Sequence, residues 1–121
     1  MHKEIAIAAN LWRKQIKNST QDAGDFMINM FSSALKNHCM RGVTSEKLDT
    51  FEKELIAQCS IQTSRCITLY TDYHPDLELS HACKIAGIDE GVIPIKSCVH
   101  IEQGKVSHSF GYGKPYTTIT V

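Results

Sequence analysis

Apolar residues recur every three or four positions in four segments of this chain, the spacing of one face of an amphipathic helix. The four predicted helices are residues 3–17, about Asp25 to Cys39, a segment capped by Thr44 or Ser45 that runs to Cys59, and a last segment that runs to about Ala86. Pro75 suits the first position of the last helix, and Gly87 suits a left-handed residue at its end.

Each predicted helix carries an apolar face that we expect to be buried. For the first, third and fourth helices these faces are Ile5, Ala9, Trp12 and Ile16; Leu48, Phe51, Leu55 and Cys59; and Leu79, Ala82, Cys83 and Ala86. The second helix has a wide stripe that includes Met27, Met30 and Phe31. Burial is the expectation for this stripe, and an adaptable binding surface is the alternative because methionine suits such surfaces.

Other segments alternate between apolar and polar residues, which is typical of strands. Arg65 to Thr71 places Ile67 and Leu69 on one face, with Cys66, Thr68 and Tyr70 on the other. Residues 94–113 predict a hairpin that turns at Gln103-Gly104, and Tyr116 to Val121 predicts a last strand. The whole pattern predicts an α+β fold, with about four helices packed on a small, mainly antiparallel sheet of about four strands.

Length and charge narrow the class of protein. The chain has 121 residues and no dividing linker, so we expect a single domain over residues 1–121. Thirteen basic residues balance thirteen acidic ones, which argues against direct nucleic acid binding because that needs a concentrated positive field. No apolar run approaches the roughly 18 residues of a membrane span, and no signal peptide precedes the first helix. These features predict a cytoplasmic protein without a membrane partner.

The five cysteines contain no C-x-x-C pair, so we expect reduced thiols that act mostly as small core residues. Pairing across the Gln103-Gly104 turn places His100 opposite Ser107 and Val99 opposite His108, so the two histidines point to opposite faces. Cys98 and His100 share a face. Two ligands at this spacing are too few for a zinc site, and a Cys98–His100 nucleophilic pair lacks an orienting third group. We therefore expect no catalytic residue, metal or cofactor.

The hairpin resembles the second conserved box of the BTG/Tob antiproliferative domain. Matching residues in this box are Pro94, Ile101, Glu102, Val106, Ser107 and Gly111. Further matches lie at Glu4-Ile5-Ala6 and Ala8, at Leu48, Phe51, Glu52 and Leu55, at Arg65-Cys66-Ile67, and at Asp76, Leu79, Ala82 and Gly87-Ile88. The resemblance covers nearly the whole chain in the right order, and it implies the BTG/Tob fold.

The chain also departs from the family at positions that matter for its partners. His100 stands at the signature tryptophan of the box, and Glu102-Gln103 stands at its Asp-Pro. The family's other box is absent because Ser60 to Ser64 is too short to hold it, and about one helix is inserted around Asp25 to Cys39. BTG/Tob domains are adaptors that bind a deadenylase and do no chemistry. The resemblance thus implies a non-catalytic interaction module with a different partner.

We therefore expect a protein-protein interaction module. The predicted contact residues are His100, Glu102, Lys105, Tyr112 and Lys114, with Tyr112 exposed at the tip of a glycine-flanked turn. The Gly111 to Pro115 ending is similar to small proteins of bacteria and their phages. In a phage or mobile element, such a module would inhibit a bacterial defence nuclease or its complex, as anti-CRISPR proteins do.

Two alternatives to this function stay open. The first is a small enzyme or metal-binding protein that uses Cys98, His100 and nearby histidines or cysteines. The second is a homodimer joined by an exposed edge strand such as Tyr116 to Val121.

Overall fold

The computed structural model describes residues 1–18, 43–62, 64–111 and 113–121, and within them the fold is α+β, as predicted. The helices are α1 (His2–Asn18), α2 (Ser45–Ser60) and α3 (Leu77–Ala86), with a short 3₁₀ helix at Glu90–Val92. The strands are β1 (Cys66–Thr71), β2 (Ser97–Glu102), β3 (Lys105–Phe110) and β4 (Thr117–Thr120). The described residues therefore hold three α-helices rather than four. The helix predicted from about Asp25 to Cys39 lies outside them.

The four strands form one sheet in the order β1-β2-β3-β4, and every neighbouring pair is antiparallel. The predicted hairpin register is confirmed, since Ile101 pairs with Val106 and His100 pairs with Ser107. Gly104 in the turn has a φ of 89°, a left-handed conformation that favours glycine. The α3 helix lies in the connection between β1 and β2.

The helices cover one face of the sheet and enclose the core. All the residues predicted for the buried faces of α1, α2 and α3 are buried, and so are Ile67 and Leu69 of β1. Of the apolar hairpin residues, Phe110 is only partly buried, but its ring meets the Trp12 ring edge-on at a centroid distance of 5.1 Å. Trp12 therefore anchors α1 to the sheet.

The local signals for helix ends hold with one correction. Thr44 caps α2 by accepting a hydrogen bond from the Lys47 amide, and Gly87 ends α3 with a φ of 70°. The sequence predicted Pro75 as the first residue of α3, but the helix begins at Leu77. Instead Asp76 is the N-cap, and Pro75 forms an isolated bridge with Thr71. Asp76 sets the start of the helix because its side chain accepts a hydrogen bond from the Leu79 amide.

The core also includes residues outside the regular helices and strands. The segment after α3 contributes three buried residues to the core, namely Ile88, Val92 and Ile93. Within the described ranges no helix is both long enough and apolar enough to cross a membrane.

Candidate functional site: the open face of the sheet

The face of the sheet opposite the helices is the candidate site, and we call it the open face. It consists of Cys66, Thr68 and Tyr70 on β1; Cys98, His100 and Glu102 on β2; Lys105, Ser107 and Ser109 on β3; Thr118 and Thr120 on β4; and Tyr116 just before β4. All of these except Ser109 are exposed or half-buried. The strands hold the side chains on a regular, rigid surface that solvent can reach.

His100 lies near the middle of the open face, and both of its ring nitrogens have partners. Its Nε2 is 2.9 Å from Cys66 Sγ, and its Nδ1 is 2.9 Å from Thr68 Oγ1. Thr68 is the register partner of His100, while Cys66 lies diagonally across from it. An exposed thiol, an imidazole and a hydroxyl thus form one connected cluster.

The sequence hypothesis that paired Cys98 with His100 is therefore corrected. The two share the open face, but His100 contacts Cys66, and Cys98 contacts Tyr116 instead. The hydrogen bond between Cys98 and Tyr116 raises the pKa of the Tyr116 hydroxyl. Sequence reasoning missed Cys66 because 34 positions separate it from His100. The alternation of residues 65–71 had placed Cys66 on the polar face, but only the strand pairing shows what lies beside it.

The two histidines of the hairpin point to opposite faces, as the register argument predicted. His108 lies on the helix-covered face, with its ring centroid 5.4 Å from that of Phe110. Burial lowers the pKa of the His108 imidazole. His100 and His108 therefore cannot share a ligand.

Of the predicted contact residues, Glu102 and Lys105 lie at the hairpin end of the open face, and His100 lies near its middle. Lys114 lies beside Ser109, toward the opposite end of β3. His100, Glu102 and Lys105 share this face, and the Glu102 carboxylate pairs with the Lys105 ammonium at 3.2 Å. Lys114 is exposed, and its carbonyl accepts a hydrogen bond from Ser109 Oγ at 2.7 Å. Tyr112 lies outside the described residues. Because Glu102 and Lys105 neutralise each other, the hairpin end of the face presents little net charge.

The other end of the open face is aromatic, and we call Tyr70, Tyr73, Lys96 and Tyr116 the aromatic corner. The three tyrosines are 46%, 68% and 60% exposed, respectively. Lys96 Nζ lies 4.5 Å from the centroid of the Tyr73 ring and also pairs with Asp72. The hydrogen bond to Asp72 raises the pKa of Lys96, with smaller contributions from Tyr73 and Tyr70.

The backbone of Lys96 is held in an uncommon conformation. Its φ is 56°, in the left-handed region that residues other than glycine seldom adopt. The Lys96 amide donates to the Asp72 carbonyl at 2.9 Å, and the side chain pairs with the same residue. These contacts fix the cation above Tyr73, so the aromatic corner is a preformed surface.

The remaining thiols differ from Cys66 in their surroundings. Cys59 and Cys83 are buried, as predicted, and burial raises the pKa of each to about 12. Cys98 is half-buried and Cys66 is exposed, so neither is a core residue. Cys39 lies outside the described residues.

The described residues offer little support for a metal or small-ligand site. No group of three His, Cys, Asp or Glu side chains converges there, and Cys66 with His100 supplies two donors. A cleft of about 310 Å³ lies where the start of α1, the end of α2 and the hairpin turn meet. Its lining includes Met1, Ile5, Gln62, Arg65 and Gln103, a mixture that indicates no particular chemistry.

Comparison with protein-family models finds no matching family, and comparison with curated proteins finds no matching relative.

Proposed function

We propose that this chain is a non-catalytic protein-interaction module that contacts a protein partner through the open face and the aromatic corner. One observation carries the proposal: Tyr70 and Tyr116 are about half exposed on the same face of a four-stranded sheet, the face opposite the described helices. Tyrosine is enriched at interfaces because its ring supplies contact area with little loss of conformational entropy.

The size of the surface indicates which parts must take part. Strands about 4.8 Å apart and about five residues long give the open face a projected area on the order of 300 Å². A stable complex buries about 800 Å² on each partner. The open face alone is too small, so the contact includes Tyr73 and Ile95, which is 54% exposed beside Lys96. A partner confined to the hairpin end would bind weakly.

The resemblance to BTG/Tob domains supports the same proposal, because members of that family are adaptors. The partner of this chain differs from theirs, since His100 replaces the family's tryptophan and lies on the contact face. That the partner is a bacterial defence nuclease inhibited by a phage or mobile-element protein stays a prediction. Its test is the activity of such a purified nuclease with and without an equal amount of this protein.

A double variant tests the interaction surface. We expect Tyr70→Ala with Tyr116→Ala to weaken partner binding by about 100-fold or more, because an interface tyrosine can contribute about 2 kcal/mol. Leu77→Ala is the matched control, since it removes an apolar side chain that is 82% exposed on α3 and not on the open face. The measurement is co-purification from the native host, followed by titration of the purified partner in solution.

Support requires that one protein binds the wild type and Leu77→Ala in a defined ratio and loses affinity for the double variant. Equal binding by all three proteins, or no protein partner at all, would show that the proposal is wrong. A concentration-dependent doubling of mass without a partner would instead favour the homodimer. In that case β4, which pairs on one side with β3, is the edge to test.

A further inference from the structure

The contacts of Cys66 set it apart from the other thiols of the described chain. Of the four cysteines there, Cys66 alone is exposed. Its Sγ lies 2.9 Å from His100 Nε2, which is within reach for proton transfer. The opposite nitrogen of the ring, Nδ1, lies 2.9 Å from Thr68 Oγ1. In the tautomer whose Nδ1–H donates to the Thr68 hydroxyl, this bond orients the ring and Nε2 is free to accept the thiol proton.

The backbone holds this cluster in place from two sides. Antiparallel pairing puts Thr68 opposite His100 and Cys66 opposite Glu102, so β1 and β2 fix the relative positions of the three side chains. Just before β1, Ser64 Oγ donates to the Cys66 carbonyl at 2.7 Å and accepts from the Cys66 amide at 3.3 Å. The thiol therefore stands on an anchored residue at the rim of the sheet.

We infer that Cys66 is a modification site, a nucleophilic thiol activated by His100 that forms mixed disulfides with small disulfides such as oxidised glutathione. The inference does not depend on the proposed interaction with a protein partner.

The exchange reaction is balanced in atoms and protons. His100 Nε2 takes the proton of the Cys66 thiol as the sulfur attacks one sulfur of oxidised glutathione. A new bond forms between the two sulfurs while the original disulfide bond breaks. The departing glutathione thiolate takes the proton from the imidazolium and leaves as reduced glutathione. Cys66 is oxidised to the mixed disulfide, and no further oxidant is needed.

Other charged and titratable groups of the open face include two pairs. Glu102, across from Cys66, is neutralised by Lys105 at 3.2 Å. Cys98 is engaged by Tyr116, and Tyr70 lies next to it at the aromatic corner. His100 is thus the group in contact with the Cys66 thiol that can take up its proton.

The first test uses the unmodified protein. It is incubated with oxidised glutathione, and the adduct at each cysteine is followed over time by peptide mass mapping. We expect Cys66 to react at least about 10-fold faster than Cys98, because a thiol paired with an imidazole is more reactive. Cys59 and Cys83 stay unmodified because they are buried, and Cys39 is measured separately by the same mapping. In denaturant, the advantage of Cys66 over Cys98 should disappear.

Variants then separate activation from simple exposure. His100→Asn should slow the reaction of Cys66 about 10-fold or more. Thr68→Val should slow the reaction of Cys66 by a smaller factor. Thr68→Ser should react at the wild-type rate because the hydroxyl is kept. The control is Ser107→Ala, since Ser107 also lies beside His100 but bonds to Thr118. Between about pH 8 and about pH 6, the wild-type rate should fall less steeply than that of His100→Asn.

Circular dichroism establishes that each variant is folded. Reaction of Cys66 at the same rate as Cys98 in the native wild type would overturn the inference, whatever the variants do. The same conclusion follows if His100→Asn and Ser107→Ala are both folded and react at the wild-type rate and with the wild-type pH profile.

Discussion

At the scale of single residues, Trp12 shows how one side chain can serve both layers of the fold. It is fully buried on α1 and meets Phe110 of β3 edge-on at 5.1 Å. Its indole Nε1 is buried and finds no hydrogen-bond acceptor among the described residues. Trp12 therefore stabilises the fold by its apolar surface, whereas no acceptor in the described part of the chain replaces the bond of its N–H group to water.

Replacing Trp12 with two residues of different size tests this division. Trp12→Ala should lower the free energy of unfolding by about 3–5 kcal/mol, because it removes a large buried ring. Trp12→Phe should cost less than about 2 kcal/mol, since it keeps much of the apolar ring and removes an N–H group that has no acceptor among the described residues. Urea titration followed by circular dichroism measures both. Equal losses in the two variants would contradict the stabilising role assigned to the apolar ring.

At the scale of elements, the hairpin shows how local geometry sets a register. Gly104 has a φ of 89°, and no heavy atom lies within 4 Å of where a Cβ would stand. The position therefore demands glycine because of the backbone conformation alone and not because of crowding. A two-residue turn at this point fixes the pairing of Ile101 with Val106, and hence the face on which His100 lies.

Gly104→Ala should destabilise the protein by about 1–2 kcal/mol, the usual cost of a left-handed conformation for a residue with a Cβ. Gln103→Ala is the control, because it changes the exposed neighbour in the same turn. Chemical denaturation compares the two variants with the wild type. A Gly104→Ala variant as stable as Gln103→Ala would contradict the assigned turn geometry.

At the scale of the whole molecule, contacts between distant segments join the helices to the sheet and to each other. Glu4 on α1 accepts a hydrogen bond from the Gly104 amide at 3.4 Å, across 100 positions of sequence. Arg13 on the same helix donates to Asp49 and, over 3.1 Å, to Glu52 of α2. The α1 helix is thus fastened to the hairpin at one end and to α2 farther along.

The Glu4 contact gives the stability of the protein a defined pH dependence. A hydrogen bond from its own backbone amide, with a smaller contribution from the Gly104 amide, lowers the pKa of the Glu4 carboxyl. A lowered pKa in the folded state adds stability above the ordinary glutamate value of about 4.3. That stability is lost as the pH falls through the lowered pKa.

The melting temperature of Glu4→Gln should therefore fall less than that of the wild type when the pH is lowered from about 5 to about 3. Comparing the two proteins cancels the opposite trend of Asp76, whose pKa is raised by burial. Thermal melts at several pH values provide the measurement. Parallel curves for the two proteins would refute a role for the Glu4 charge.

Much of this protein is determined by its sequence alone, because many of its signals are local. The spacing of Leu48, Phe51, Leu55 and Cys59 fixes which face of α2 is buried, since a helix repeats every 3.6 residues. The turn at Gly104 likewise fixes the hairpin register and separates His100 from His108. The prediction that Pro75 begins the last helix was wrong, because the side chain of Asp76 supplies the cap one residue later.

Only the tertiary structure decided what each polar residue of the sheet touches. Strand β1 pairs with β2 across the intervening α3 helix, so its register depends on how that helix packs and not on a local turn. That register brings Cys66 to His100 and leaves Cys98 beside Tyr116, which reverses the pairing suggested by proximity in the sequence. Contacts between strands distant in sequence are set by the packing of the whole core, and these contacts define the chemistry of the open face.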